Sequence, residues 1–279
     1  MIVDLSGKTA VVTGAGGVLA GRFAHALAMA GAKVAVLDIV EDRARATQEA
    51  IEKDGGIAAT VVCNVLDHAS MAAAEARVFE LLGPYQILIN AAGGNDVNTS
   101  TTNETYRVQD VDNPDAISFF DLPPDRFGRV FDLNLMGTFI PTQVFVKQML
   151  TQPNPAIVNI SSMSSYTALT KVCAYSAAKA AINNLTQWLA VHFGETGLRV
   201  NAIAPGFMIT HQNRAMMTNP DGSLTDRSKK VIAHTPMKRM GTADDLIGTL
   251  LFLCDEQASG YITGVVIPVD GGFMACPGV

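Results

Sequence analysis

The sequence predicts an α/β fold: one doubly wound parallel sheet of seven strands, helices on both faces, in a single domain over residues 1–279. Three observations carry that expectation. Short unbroken apolar runs alternate with helical patterns along most of the chain, as strands covered on both faces require. A glycine-rich turn, Thr13-Gly14-Ala15-Gly16-Gly17-Val18-Leu19, joins the first run to the first helix. No internal repeat or low-complexity linker divides the chain, and 279 residues at 48% hydrophobic suffice for one large core.

The strands are read in order as Thr9–Val12, Lys33–Leu37, Ala58–Val62, Ile87–Ile89, Ala156–Ile160, Arg199–Ile203 and Val265–Val269. Leu19–Ala30 and the charged segment Asp42–Lys53 read as helices. So does Asp125–Leu150, where Pro141 lacks a backbone N–H and predicts a kink. Two stretches break the rhythm. Residues 94–125 are polar and contain Asn-Pro and Pro-Pro; residues 207–240 contain the turn Asn219-Pro220-Asp221-Gly222. Both leave the carboxyl ends of strands, where ligands bind in open α/β sheets. The first reads as an inserted loop and the second as a substrate-covering one.

Composition excludes several function classes. The net charge is −6 and no Lys/Arg run exceeds two, which argues against nucleic acid or an anionic membrane surface. No apolar run approaches a membrane span, and Asp4 ahead of the first lysine fits no signal peptide. Cys63, Cys173, Cys254 and Cys276 form no CxxC pair and read as reduced thiols of a cytoplasmic protein. No metal is expected, because His25, His68, His192, His211 and His234 show no ligand spacing. The first three read as ordinary helix residues; His211 and His234 flank the second loop as weak candidates.

The glycine turn suits a dinucleotide. Gly14 and Gly17 permit a tight turn, and the amides of Val18 and Leu19 open the helix toward a pyrophosphate. Asp38 ends the second strand, where a carboxylate accepts from ribose hydroxyls and repels a 2′-phosphate; the cofactor expected is NAD. Asn64 and Val65 end the third strand near the adenine. Asn90, Ala91 and Gly93 end the fourth with little bulk. Pro205 and Gly206 end the sixth near the nicotinamide, with Thr210 just beyond.

At the chemical end, Tyr175 and Lys179 stand at i and i+4 on one helix face, so the ammonium can favour the phenolate. Ser162 lies 13 residues earlier, just after a strand, and Asn134 is a polar residue inside a helix. In this order and spacing, the glycine turn, Asp38, Asn90-Ala91-Ala92-Gly93, Asn134, Ser162, Tyr175, Lys179, Pro205-Gly206 and Val269-Asp270-Gly271-Gly272 resemble the short-chain dehydrogenase/reductase family over nearly the whole chain. The resemblance implies a Rossmann domain and a homotetramer with the last strand near an interface. It also implies that Tyr175 is the acid/base, Ser162 binds the substrate oxygen, Lys179 holds the nicotinamide ribose and tunes Tyr175, and Asn134 anchors a water. The pattern departs from the family in two places. Val18 and Ala20 stand at its last two glycine positions, and Asn64 replaces its usual Asp.

Finer segments resemble the D-mannonate oxidoreductase (fructuronate reductase) branch. They include Ala91-Ala92-Gly93-Gly94-Asn95, Leu169-Thr170-Lys171, Thr186–Phe193, Gln212-Asn213-Arg214 and the closing Gly278-Val279. The implied reaction interconverts D-fructuronate and D-mannonate. A polyol or keto-gluconate dehydrogenase is the alternative, and a non-catalytic NAD-binding regulator is disfavoured by the intact Ser162, Tyr175 and Lys179. A hexuronate needs a cation away from Tyr175, and Arg214, Lys171 and Asn95 are the expected substrate anchors. The apolar stripe around Trp188 reads as packing or a subunit contact.

Overall fold

The computed structural model describes residues 3–210 and 214–276. His211, Gln212, Asn213, Gly278 and Val279, used above, lie outside the described residues. Every connection in the first half is strand–helix–strand: β1 (Thr9–Thr13), α1 (Val18–Met29), β2 (Lys33–Asp38), α2 (Glu41–Lys53), β3 (Ile57–Val62), α3 (His68–Leu82) and β4 (Ile87–Asn90). Then come α4 (Pro124–Phe131), α5 (Gly137–Met149), β5 (Ala156–Ile160), α6 (Cys173–His192) and β6 (Arg199–Pro205). Helices α7 (Arg214–Met217), α8 (Asp226–His234), α9 (Asp244–Cys254) and α10 (Glu256–Ser259) precede β7 (Val266–Val269).

The seven strands form one parallel sheet in the order β3-β2-β1-β4-β5-β6-β7. Alternation along each strand divides the core. Ala10 and Val12, with Val34, Val36, Ile87 and Ile89, face α1 and α9 around Phe23, Leu27 and Leu250. Val11, Leu37 and Leu88 face α3, α5 and α6 around Met71, Phe145 and Leu189. The chain winds outward from β1 to β3 and returns to β4, so β1 and β4 flank the switch point, where their carboxyl ends part to leave a crevice. Thr13 holds that point together. Its hydroxyl accepts from the Ala91 and Ala92 amides at 3.1 and 3.2 Å.

Two expectations change. The predicted helix Asp125–Leu150 is broken before Pro141, by a π turn at Asp132–Met136 in which the Gly137 amide reaches back to the Asp132 carbonyl. Asn134 gives the reason. Its side-chain amide donates to the Val130 carbonyl at 2.7 Å, entering the ladder at the i−4 acceptor and opening the helix there. Pro141 lies buried inside α5. The stretch 207–240 is also more regular than expected, because Thr225 caps α8 by accepting from the Ser228 amide. A nine-residue helix starting from a single cap shows little periodicity in sequence.

Candidate active site

The crevice at the switch point holds about 700 Å³. Gly14, Gly17, Val18, Leu19, Asp38, Asn64, Val65, Ala91, Gly93 and Thr210 all line it. Gly14 has φ +66°, and a Cβ there would stand 2.8 Å from the Ala92 Cα, so only glycine lets β1 and β4 approach. The altered glycine pattern still builds the turn. Gly17 is the N-cap of α1, with its amide bonded to the Gly14 carbonyl, and α1 starts at Val18 with neither a side-chain cap nor an acidic residue in its first turn. Its first amides and positive dipole end are therefore available to phosphate. Asp38 accepts from the Gly16 and Val40 amides, both at 2.9 Å, which fixes its carboxylate at the crevice wall. These features fit a dinucleotide. Arg43, in the first half of α2, lines the same end and was not anticipated, because a charged helix reads as a solvated face.

Asn90 does not line either cavity. It is buried, and its amide nitrogen donates to Thr142 Oγ1 and Asn159 Oδ1, both at 2.9 Å. Asn159 in turn donates to Thr186 Oγ1. Asn90 thus belongs to a polar seam that ties β4 and β5 to α5 and α6. Its place at a strand end suggested a cofactor contact, but its side chain alternates to the interior.

A second cavity, of about 390 Å³, opens beside the first and shares Leu19, Ala91, Gly93 and Thr210 with it. Ser162, Tyr175, Lys179, Pro205 and Gly206 line it. Ser162 follows β5, and its hydroxyl accepts from the Ser164 amide at 3.2 Å. Lys179, one turn along α6, is buried; its Nζ donates to the Ile160 carbonyl at 2.7 Å and lies 5.6 Å from the Tyr175 ring centre. Burial lowers the Lys179 ammonium to about 7. The same burial raises the Tyr175 phenol, with the Ser162 side chain acting in the opposite direction. Desolvation thus acts on both groups and is the largest cause at each. Asn134 sits on the π turn, fully buried, and clamps the Gly94 peptide: Oδ1 accepts from its amide at 3.2 Å and Nδ2 donates to its carbonyl at 2.7 Å. A Cβ on Gly93 would meet Asn134 Oδ1 at 2.7 Å and Lys179 Nζ at 3.3 Å.

Of the expected substrate anchors, only Asn95 lines the cavity. Lys171 does not; its backbone, at φ +76°, turns its carbonyl toward the Thr101 amide. Arg214 begins α7 and is exposed. Among the described residues the cation that lines the cavity besides Lys179 is Arg227 of α8, which sequence reasoning passed over because α8 was not anticipated. His25 pairs with Asp54, His68 begins α3, and His192 stacks on the exposed Trp188. His234 bonds the Lys230 carbonyl. Among the described residues no His, Cys, Asp and Glu side chains gather as metal ligands, and no helix is long and apolar enough to cross a membrane.

The family described as Enoyl-(Acyl carrier protein) reductase matches residues 14–274. The chain belongs to the short-chain dehydrogenase/reductase family. As a member it is a nicotinamide-dinucleotide oxidoreductase. It is 50% identical to the uncharacterized oxidoreductase UxuB of Bacillus subtilis (strain 168) over 276 residues, 99% of this chain and 98% of that one. A crystal structure from Haemophilus influenza, described as a candidate D-mannonate oxidoreductase with bound NAD, superposes with a TM-score of 0.94 at 44% identity, covering 99% and 98% of the two chains. The 7alpha-hydroxysteroid dehydrogenase of Escherichia coli (strain K12) is 30% identical over 268 residues, 96% of this chain and 94% of that one.

Proposed function

We propose that this short-chain dehydrogenase/reductase interconverts a ketone and a secondary alcohol on a sugar acid, with NAD(H), and that the pair is D-fructuronate and D-mannonate. The observation that carries the reaction class is that Ser162, Tyr175 and buried Lys179 line one cavity beside the dinucleotide crevice, with the Lys179 Nζ 5.6 Å from the Tyr175 ring centre. When bound, the dinucleotide supplies or accepts the hydride. Tyr175 gives its phenolic proton to the carbonyl oxygen in reduction and takes it back in oxidation. Ser162 donates a hydrogen bond to the same oxygen, and Lys179 keeps a proton source beside the phenol. Asn134 is a positioning residue: it holds the Gly94 turn against Lys179. Supporting the substrate is the 44% identity to the candidate D-mannonate oxidoreductase. NAD preference rests on Asp38, and a cytoplasmic setting on four free cysteines, two of them buried.

One observation favours a second reading. Much of the cavity wall is apolar, with Val97, Met163, Leu169, Met216 and Met217, which would suit a bulkier, steroid-like hydroxy compound. A panel of D-fructuronate, keto-gluconates, polyols and a hydroxysteroid, followed by NADH absorbance, decides between them. D-Fructuronate is expected to give the highest kcat/KM, and a faster steroid would reject the sugar-acid reading. In the same assay D38A should narrow the NADH-to-NADPH ratio about tenfold or more, since Arg43 then faces a 2′-phosphate without a competing carboxylate. A wild type that used both cofactors equally would remove Asp38 from the argument.

The homotetramer is part of the same reading. β7 is an edge strand and only partly buried, and α6 exposes Trp188 and Val191. Sedimentation at micromolar concentration should give four chains per particle, and a stable monomer would overturn this.

A further inference from the structure

We propose that Arg227 is the receptor for the substrate's carboxylate, and so sets the preference of this cavity for acids over neutral ketoses. The inference rests on the sugar-acid reading above and names the residue that would enforce it. Among the described residues lining the cavity, Lys179 and Arg227 are the only cations, and Lys179 is committed to the reacting end through the Ile160 carbonyl. Arg227 comes from a different element, α8, and so stands apart from the proton-transfer pair. That separation matches a substrate whose carboxylate lies several bonds from its carbonyl.

The guanidinium is prepared for an anion. Its side chain is only 17% exposed. Nη1 and Nη2 donate to the hydroxyl and carbonyl of Thr170 at 3.2 and 3.3 Å, which fixes the plane of the fork while other N–H donors remain. Its ion-pair partner, Glu104, lies 3.6 Å away through Oε1 and accepts a hydrogen bond from Lys230 at 3.2 Å through Oε2. A mostly buried cation is ordinarily closely paired; this one is held loosely. The apolar wall of Met216, Met217 and Val97 lowers the local dielectric around it. An incoming carboxylate would supply the missing negative charge.

The geometry also assigns a use to residues 94–125. Glu104 of that segment reaches Arg227 and Lys230 of α8, and the Thr101 amide bonds the Lys171 carbonyl. The inserted segment thus braces the Thr170–Lys171 corner and α8 from the outer side, holding Arg227 inward.

The test compares wild type, R227A, R227Q and R227K on D-fructuronate and on its neutral counterpart D-fructose, with NADH. R227Q keeps a long polar side chain, so it reports on charge even if R227A folds poorly. Wild type should prefer the acid. In R227A and R227Q the KM for D-fructuronate should rise about 100-fold, with kcat within a fewfold, kcat/KM for D-fructose unchanged and NADH affinity unchanged. R227K should recover part of the loss. If a wild type that reduces D-fructuronate keeps its KM in both neutral variants, or loses acid and ketose equally, Arg227 is not the carboxylate receptor. If wild type reduces no sugar acid, the sugar-acid reading itself fails and this one with it.

Discussion

Y175F is expected to lower kcat about 100- to 10,000-fold, the usual contribution of a positioned general acid/base, while NADH still binds. The phenol is the acidic group lining the second cavity together with Ser162, with the Lys179 Nζ 5.6 Å from its ring. Phenylalanine keeps the ring and its packing, so the dinucleotide crevice, lined by other residues, should be unaffected. Fluorescence titration with NADH separates the two effects. A variant retaining half the wild-type kcat would show that the proton travels by another route.

G14A should be nearly as severe, for a different reason. The residue has φ +66°, and its new methyl group would stand 2.8 Å from the Ala92 Cα and 3.0 Å from the Ala92 nitrogen. Those are backbone atoms at the junction that Thr13 ties together, so neither side can yield by turning a side chain. The left-handed backbone and the clash together should destabilise the protein by about 2–4 kcal/mol and weaken NADH binding more than tenfold. Urea unfolding and NADH titration measure both. Wild-type stability and affinity in G14A would mean that β1 and β4 are not held as closely as described.

Much of this was legible from sequence because strands buried on both faces leave unbroken apolar runs: all seven were located within two residues of their ends. The glycine turn, Asp38, Ser162, Tyr175 and Lys179 were legible too, since each is tied to a strand end or a helix start. What escaped notice depends on partners distant in the chain. Asn90 reads as a cofactor contact until Thr142 and Asn159 are seen to claim its amide. Arg227 reads as one charge in Asp226-Arg227-Ser228-Lys229-Lys230; its direction is set by α8 packing against Thr170 and Glu104. Arg214 and Lys171 looked better placed because they are nearer in sequence to Thr210 and Tyr175, and nearness in sequence did not bring either into the cavity.

The π turn also settles the rotational phase of the buried polar seam. Val130, Asn134, Thr138 and Thr142 are all buried, yet they are spaced by four. On a regular helix each four-residue step overshoots a full turn by about 40°, so three steps would carry the series about 120° around the axis. A turn that accommodates one extra residue, worth about 100°, cancels most of that drift. The four side chains therefore stay in line, and Thr138 and Thr142 each donate to the carbonyl four residues back, those of Asn134 and Thr138. A run of buried residues spaced by four, here Val130, Asn134, Thr138 and Thr142, is thus the trace that the widened turn leaves in the sequence.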